Sequence, residues 1–212
     1  VIDGIVPTVS AVTADKDNGT YKIGDLIPIT ITFDDIVTVT NIPQLTLETG
    51  DVSDEVVNYT SINNQTLTFD YTVAAGNVSS DLDYTGTDAL ALNGGTINDA
   101  AGNAATLTLA APGDPNSLGD NKNLVIDGIV PTVVDVTSTT DGGSYNDADA
   151  VIPIIIEFTE PMEVTGTPQL ALELGVVGQS VAVYNAGDGT DELTFNYTIL
   201  GDHNSSDLDY AS

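Results

Sequence analysis

Hydrophobic positions in this chain recur with a period of two. Ile27, Ile29, Ile31 and Phe33 alternate with Pro28, Thr30 and Thr32, and Leu67, Phe69, Tyr71 and Val73 alternate with Thr68, Asp70 and Thr72. Successive side chains of a strand point to opposite faces, so each run predicts a half-buried strand with a polar outer face. Leu45 and Leu47, Val57 and Tyr59, and Leu107 and Leu109 repeat the pattern in shorter form. Between the runs stand DNGTYKIGD, TGDVSD, INNQ, AAGNVSSD and DAAGN, rich in residues that turn a chain. The pattern predicts seven strands in the first part of the chain, near 8–13, 26–33, 43–48, 56–60, 66–73, 89–97 and 105–109. No window sustains a 3.6-residue period, so helix is expected only as one turn around Ser80 to Tyr84. Pro28 cannot donate to a ladder, which places its end of the strand at an edge or a bulge.

An internal repeat organises these elements. VIDGIVPTV is read from Val1 to Val9 and again from Val125 to Val133, 124 positions later. With small offsets, Ile27-Pro28-Ile29 returns as Ile152-Pro153-Ile154, Pro43-Gln44-Leu45 as Pro168-Gln169-Leu170, Leu67-Thr68-Phe69 as Leu193-Thr194-Phe195, and SSDLDY from Ser79 to Tyr84 as Ser205 to Tyr210. A repeat of this length is too long for a solenoid unit and has the size of a domain. The division expected is a complete unit over 1–124 and a second over 125–212, joined by a short linker from Leu124 to Pro131. The second unit has no counterpart to the strands expected after Tyr84 in the first. A sheet without its last strands exposes an edge and half a core, so this unit is expected to need residues beyond Ser212 or strands donated by another chain. Seven short antiparallel strands in the first unit suggest an all-β fold of tandem immunoglobulin-like antiparallel β-sandwich domains. With no Cys and no Trp, that likeness is architectural.

Charge narrows the function. Three Lys and no Arg stand against 32 acids, a formal net charge of −29. Lys16, Lys22 and Lys122 cannot neutralise a row of phosphates, which excludes nucleic acid as a main partner and argues against docking on an anionic membrane. No apolar run approaches the ~18 residues of a membrane span. Without Cys there is no disulfide framework, thiolate metal site or cysteine nucleophile. The acids are 25 Asp and only 7 Glu. The short Asp carboxylate suits turns and loop-borne Ca²⁺ sites, and the same excess also reads as a solubilising acidic surface.

The runs YKIGDLIPITITF, VTNIPQLTLETG, TLTFDYTVAAGNVSSDLDY, LALNGGTINDAAGNAATLTL and NLVIDGIVPTV together resemble the bacterial Ig-like tandem repeats that form the extender region of giant cell-surface adhesins. The resemblance covers the whole chain. It implies repeated β-sandwiches, an extracellular, cell-surface location, a spacer role, and neighbouring repeats of the same chain as the principal partners. In the second repeat, Thr159-Glu160-Pro161 departs from Asp34-Asp35-Ile36 of the first.

If the strands alternate up and down, one end of the first unit collects the incoming segment with Asp3, the loop with Asp34 and Asp35, and the loop with Asn98, Asp99 and Asn103. Three loops bringing oxygen ligands to one end is what Ca²⁺ coordination requires. Asp127 and Glu160 hold the equivalent places in the second unit. The candidate metal ligands are therefore Asp3, Asp35, Asp99, Asn103, Asp127 and Glu160, with Ca²⁺ as the ion. Asp3 and Asp127 also suit plain turn capping, and DAAGN a tight hairpin. DKDNGTYKIGD lacks the Gly at the sixth position, the Glu at the twelfth and the flanking helices of an EF-hand. His203 aligns with Asn77 and reads as a surface loop histidine. No nucleophile elbow, P-loop or HExxH motif is present, so an enzyme is not expected. The leading reading is a spacer rigidified by calcium. The alternatives are a polymerising extracellular filament, sheath or surface-layer subunit that binds other copies of itself by strand donation, and, last, a carbohydrate-binding module, which normally needs exposed Trp or Tyr platforms, whereas here Trp is absent and the Tyr residues fall mostly on strand patterns.

Overall fold

The computed structural model of the chain describes residues 2–50, 53–174, 180–201 and 203–211. The chain divides into two compact units, Val1–Val130 and Pro131–Ser212. Both are built of β-strands in mainly antiparallel sheets.

In the first unit the strands are β1 (Val9–Ala14), β2 (Gly19–Lys22), β3 (Leu26–Phe33), β4 (Thr38–Thr40), β5 (Gln44–Leu47), β6 (Glu55–Asn63), β7 (Thr66–Thr72), β8 (Val78–Ser79), β9 (Leu90–Ala91), β10 (Thr96–Asn98) and β11 (Leu124–Asp127), with one helical turn, α1 (Leu118–Asn121). A six-stranded sheet runs β1-β3-β7-β6-β5-β9, a three-stranded sheet runs β2-β11-β8, and β10 pairs with β4. The period-two residues form the inner face of the large sheet: Ile27, Ile29, Ile31, Phe33, Leu45, Leu47, Leu67 and Phe69 are fully buried. They share one core with Ile97 of β10, Leu118 of α1, and Leu124 and Ile126 of β11. Each such side chain contributes roughly 1.5–3 kcal/mol by leaving water. Tyr59 meets Phe69 edge to face at 6.3 Å, a favoured aromatic geometry.

Pro28 sits on β3 between two partners, and the ladder explains why it is tolerated. The pairing with β1 ends at Ala14↔Ile29, and the Pro28 carbonyl on that side accepts from Asp15 N just past the last rung. The missing N–H therefore falls where β1 has already ended.

Several elements differ from the sequence expectation. The strand expected over 89–97 is two, β9 and β10, separated by Asn93 and Gly94, both at positive φ. Residues 105–109 form no strand, because Ala105 N, Thr106 N and Leu109 N donate to three separate partners, Ile97, Pro7 and Thr87. The helical turn is α1, capped by Ser117 Oγ accepting from Asp120 N, whereas Ser80 to Tyr84 is non-helical and Leu82 N donates to the Leu124 carbonyl. Leu124 to Asp127, expected as linker, is the strand β11. It runs parallel to β2 and antiparallel to β8. This pairing moves the boundary past the expected 124/125 to between Val130 and Pro131.

The second unit contains β12 (Val133–Ser138), β13 (Val151–Met162), β14 (Gln169–Glu173), β15 (Ser180–Ala186), β16 (Thr190–Thr198) and β17 (Asp209–Tyr210). They form one sheet in the order β12-β13-β16-β15-β14-β17. Register follows the repeat. Val12↔Ile31 and Ile29↔Phe69 of the first unit become Val136↔Ile156 and Ile154↔Phe195, and the isolated bridge Leu47↔Tyr84 becomes Leu172↔Tyr210. A core of Ile154, Ile156, Leu172, Ala182, Leu193, Phe195, Tyr197 and Ile199 lies on one face. Pro153 repeats the Pro28 solution, since the ladder with β12 ends at Ser138↔Ile154.

Candidate functional site

The first unit brings Asp3, Asp35 and Asp99 together, with one carboxylate oxygen of each within 4.8 Å of the others. Asp3 lies in the segment before β1, Asp35 just after β3, and Asp99 just after β10. The segment with Asp3 is set in place twice. Asp34 Oδ1 and Oδ2 accept from Thr8 N and Thr8 Oγ1, both at 2.7 Å, and Asn103 Nδ2 donates to the carbonyls of Asp3 and Ile5. Asp3 Oδ1 and Asp35 Oδ1 also accept from the amides of Ile5 and Ile36, so both are turn caps as well as members of the cluster.

Asp99 is buried and Asp35 half-buried, while Asp3 is exposed. Desolvation pushes the Asp99 carboxyl up. The side-chain amide of Asn103 and the backbone amides of Asn103, Gly102 and Ala101 outweigh it and hold Asp99 below its ordinary value. The hydrogen bonds from Thr8 likewise lower Asp34. Gly102 has φ of +94°, which lets the hairpin fold back so that Asn103 N and Nδ2 reach both Asp99 oxygens at 2.7 Å. Three carboxylates at this spacing repel one another, and a divalent cation among them reverses the sign of that interaction.

Of the six ligands expected from sequence, Asp3, Asp35, Asp99 and Asn103 share one neighbourhood. Asn103 turns its amide nitrogen toward Asp99; rotating the amide would present its oxygen instead. Asp127 and Glu160 lie outside this cluster. Asp127 ends β11 in the first unit, and its Oδ1 accepts from Ile129 N, repeating the Asp3–Ile5 turn. Glu160 lies on β13 in the second unit, at the repeat position of Asp35. Its Oε1 is buried with no hydrogen-bond partner among the described residues.

Two polar networks escaped the sequence reading. Asn77 is buried; its Oδ1 accepts from Tyr71 Oη and Ala74 N, and its Nδ2 donates to Glu55 Oε1. In the second unit His203 takes this place. It is half-buried rather than a free surface residue, with Nδ1 2.7 Å from Tyr197 Oη and Nε2 2.9 Å from Ser180 Oγ. The other network centres on Asp83, whose Oδ2 accepts from Gly113 N and Gly119 N. The repetition of SSDLDY was the available signal for Asp83. Asp51, in the TGDVSD turn, lies outside the described residues.

No protein-family model, curated protein or solved structure matches the chain. Among the described residues no helix is long and apolar enough to cross a membrane.

Proposed function

We propose that the chain is a structural spacer of a secreted cell-surface adhesin, built from tandem immunoglobulin-like β-sandwich domains and stiffened by Ca²⁺. The observation that carries this reading is the Asp3–Asp35–Asp99 cluster, where an incoming segment meets two loops of one unit. Ca²⁺ takes six to eight oxygens. Asp3, Asp35 and Asp99 would hold it, with the Asn103 amide oxygen a further donor on rotation. The unpartnered Glu160 Oε1, at the Asp35 position of the second repeat, supports the same use of that position there. The bound ion would supply charge neutralisation and a fixed exit angle for the segment; no reaction is involved. The shared order of five strands in the two large sheets, β1-β3-β7-β6-β5 and β12-β13-β16-β15-β14, supports the tandem arrangement.

The test is calorimetric titration with Ca²⁺ alongside thermal melting with and without chelator. Binding to the folded state raises stability by mass action, ~2.7 kcal/mol at a hundredfold excess over Kd. The gain should vanish in a chain carrying Asp35→Asn and Asp99→Asn. Identical melting with Ca²⁺ and with chelator would leave the three aspartates as turn caps and remove the calcium reading.

A further inference from the structure

We propose that the outer face of the large sheet in the second unit docks a polypeptide partner whose apolar side chains are bordered by lysine or arginine. The proposal rests on neither the calcium nor the spacer reading.

Register defines the face. Side chains alternate across a strand, and Ile154, Ile156, Leu193 and Phe195 point into the core. Residues 151, 153, 155 and 157 of β13 and 192, 194 and 196 of β16 therefore point outward. Pro153 stands opposite Asn196, which stands opposite Val183 of β15, and Ile155 stands opposite Thr194. One step further along β13, about 6.6–6.8 Å from Ile155, Asp135, Glu157 and Glu192 stand opposite one another on three adjacent strands. The face is an uncharged zone carrying Val151, Pro153, Ile155 and Val183, closed at one end by three carboxylates. Val151 is 50 % exposed and Val183 41 %.

The first unit shows that the sheet itself does not require this chemistry. In the same register it has Ala11, Thr32 and Thr66 where the second unit has Asp135, Glu157 and Glu192. It has Thr30, Asn58 and Asp70 where the second has Ile155, Val183 and Asn196. A mixed polar face is thus sorted into an apolar zone and an acidic row. Asn58 and Asp70 are exposed in the first unit, in which residues 85–130 are folded, so the part of a unit that follows its SSDLDY segment does not cover this face.

Both halves of the face point to an occupant. Like charges directly opposite on neighbouring strands destabilise a sheet, and residues 131–212 contain no Lys or Arg to offset the row. Contiguous exposed apolar side chains mark a contact surface. A partner that lays aliphatic groups over Ile155 and Val183 and basic groups over Glu157 and Glu192 buries the first and neutralises the second. The strong negative charge of the whole chain steers such a partner inward. A second copy docked by the same face brings carboxylates and no base to the row.

The test uses the 212-residue chain in chelator and a synthetic peptide with blocked ends, Val-Ser-Val-Ser-Lys-Ser-Lys, whose valines and lysines share one side when extended. Backbone amide NMR shifts on titration should localise to β13, β15 and β16 and spare their first-unit counterparts. Replacing the peptide's valines by serine should weaken binding about 10-fold or more, as should Ile155→Thr with Val183→Asn, through lost aliphatic contact. Glu157→Thr with Glu192→Thr should weaken it about 10-fold at low salt and flatten its salt dependence. These variants carry the first unit's own residues in the same register, and unchanged circular dichroism checks their fold; Ile155→Thr and Val183→Asn made singly give the same test in smaller steps. Shifts spread alike over both units, or affinity unchanged in the variants, would reveal general attraction to a chain of net charge −29 and overturn the proposal. Self-association of the wild type that Ile155→Thr with Val183→Asn abolishes would overturn the choice of partner in favour of a second copy.

Discussion

Gly128 gives the sharpest test of how β11 closes the first unit. Its φ is not left-handed, so the requirement is for space. An alanine Cβ would sit 2.4 Å from Ala74 O, 2.6 Å from Asn77 O and 2.9 Å from Asn77 N. All three are backbone atoms, so no side chain can swing aside. The loop they belong to is itself tied down: Asn77 N donates to the Ala74 carbonyl, and Asn77 Oδ1 accepts from Ala74 N and Tyr71 Oη. Relief in Gly128→Ala must come from lifting residue 128 away. That breaks the bonds from Gly128 N to Asn77 O and from Gly76 N to Gly128 O, worth ~0.5–1.5 kcal/mol each. Residual overpacking adds ~1–3 kcal/mol, and the reduced freedom of the unfolded chain returns at most ~1 kcal/mol. The net expectation is a loss of about 2–5 kcal/mol from the first unit, or roughly 8–20 °C in its melting temperature for a unit of this size. Gly4→Ala, in the same tetrapeptide, should stay within ~0.5 kcal/mol. Scanning calorimetry and urea titration of both variants read the difference. A Gly128→Ala chain within ~1 kcal/mol of wild type, or a Gly4→Ala chain equally destabilised, would refute the reasoning.

The polar networks carry further expectations. Asp83→Ala removes the acceptor of Gly119 N, while Gly113 N keeps Ser117 Oγ, so urea unfolding should show a loss of about 1–3 kcal/mol; Asp209→Ala, at the exposed repeat position, should change it by less than ~0.5 kcal/mol. Asn77→Ala should destabilise the first unit more than His203→Ala does the second, because Asn77 is the more buried and serves three partners; paired denaturation curves decide the order. Asp34 and Asp99 titrate below their ordinary values when folded, so their contribution is complete above the unfolded carboxylate range near ~3.9 and is lost as pH falls through their folded values. Asp34→Asn should therefore flatten the acid limb of a stability–pH curve measured in chelator, and an unchanged limb would count against the Thr8 contact.

The large sheets were legible because their signal is local. A period of two in Ile27–Phe33 and Leu67–Val73 is set by the pleat alone, and the repeat doubles the evidence in Ile152–Phe158 and Leu193–Ile199. The gathering of Asp3, Asp35 and Asp99 was legible for a related reason: alternating strand direction fixes which loops share an end, and it needs no side-chain detail. What stayed hidden were pairings fixed only by tertiary contact. β2 and β8 are short, Gly19–Lys22 and Val78–Ser79, with too few residues to show a period. Leu107 and Leu109 have the alternation of a strand, yet their segment's amides are taken one by one by Ile97, Pro7 and Thr87. His203 looked free because nothing local names Ser180 and Tyr197 as its partners.

The phase of the repeat explains the boundary. Sequence similarity begins at Val1 and again at Val125, which suggests that VIDGIV opens each unit. In the first unit the opening ladder starts at Val9, and the copy of VIDG at Val125 to Gly128 closes the unit that precedes it in the chain, through β2, β8 and the Ala74–Asn77 loop. The motif thus faces two ways. Ile126 and Gly128 pack into the unit behind them, while Asp3, at the position of Asp127, joins Asp35 and Asp99 of the unit ahead. In the first copy the acid at the third place joins the carboxylate cluster; in the second, the apolar side chain at the second place is buried in the preceding core and the fourth place has no room for a side chain.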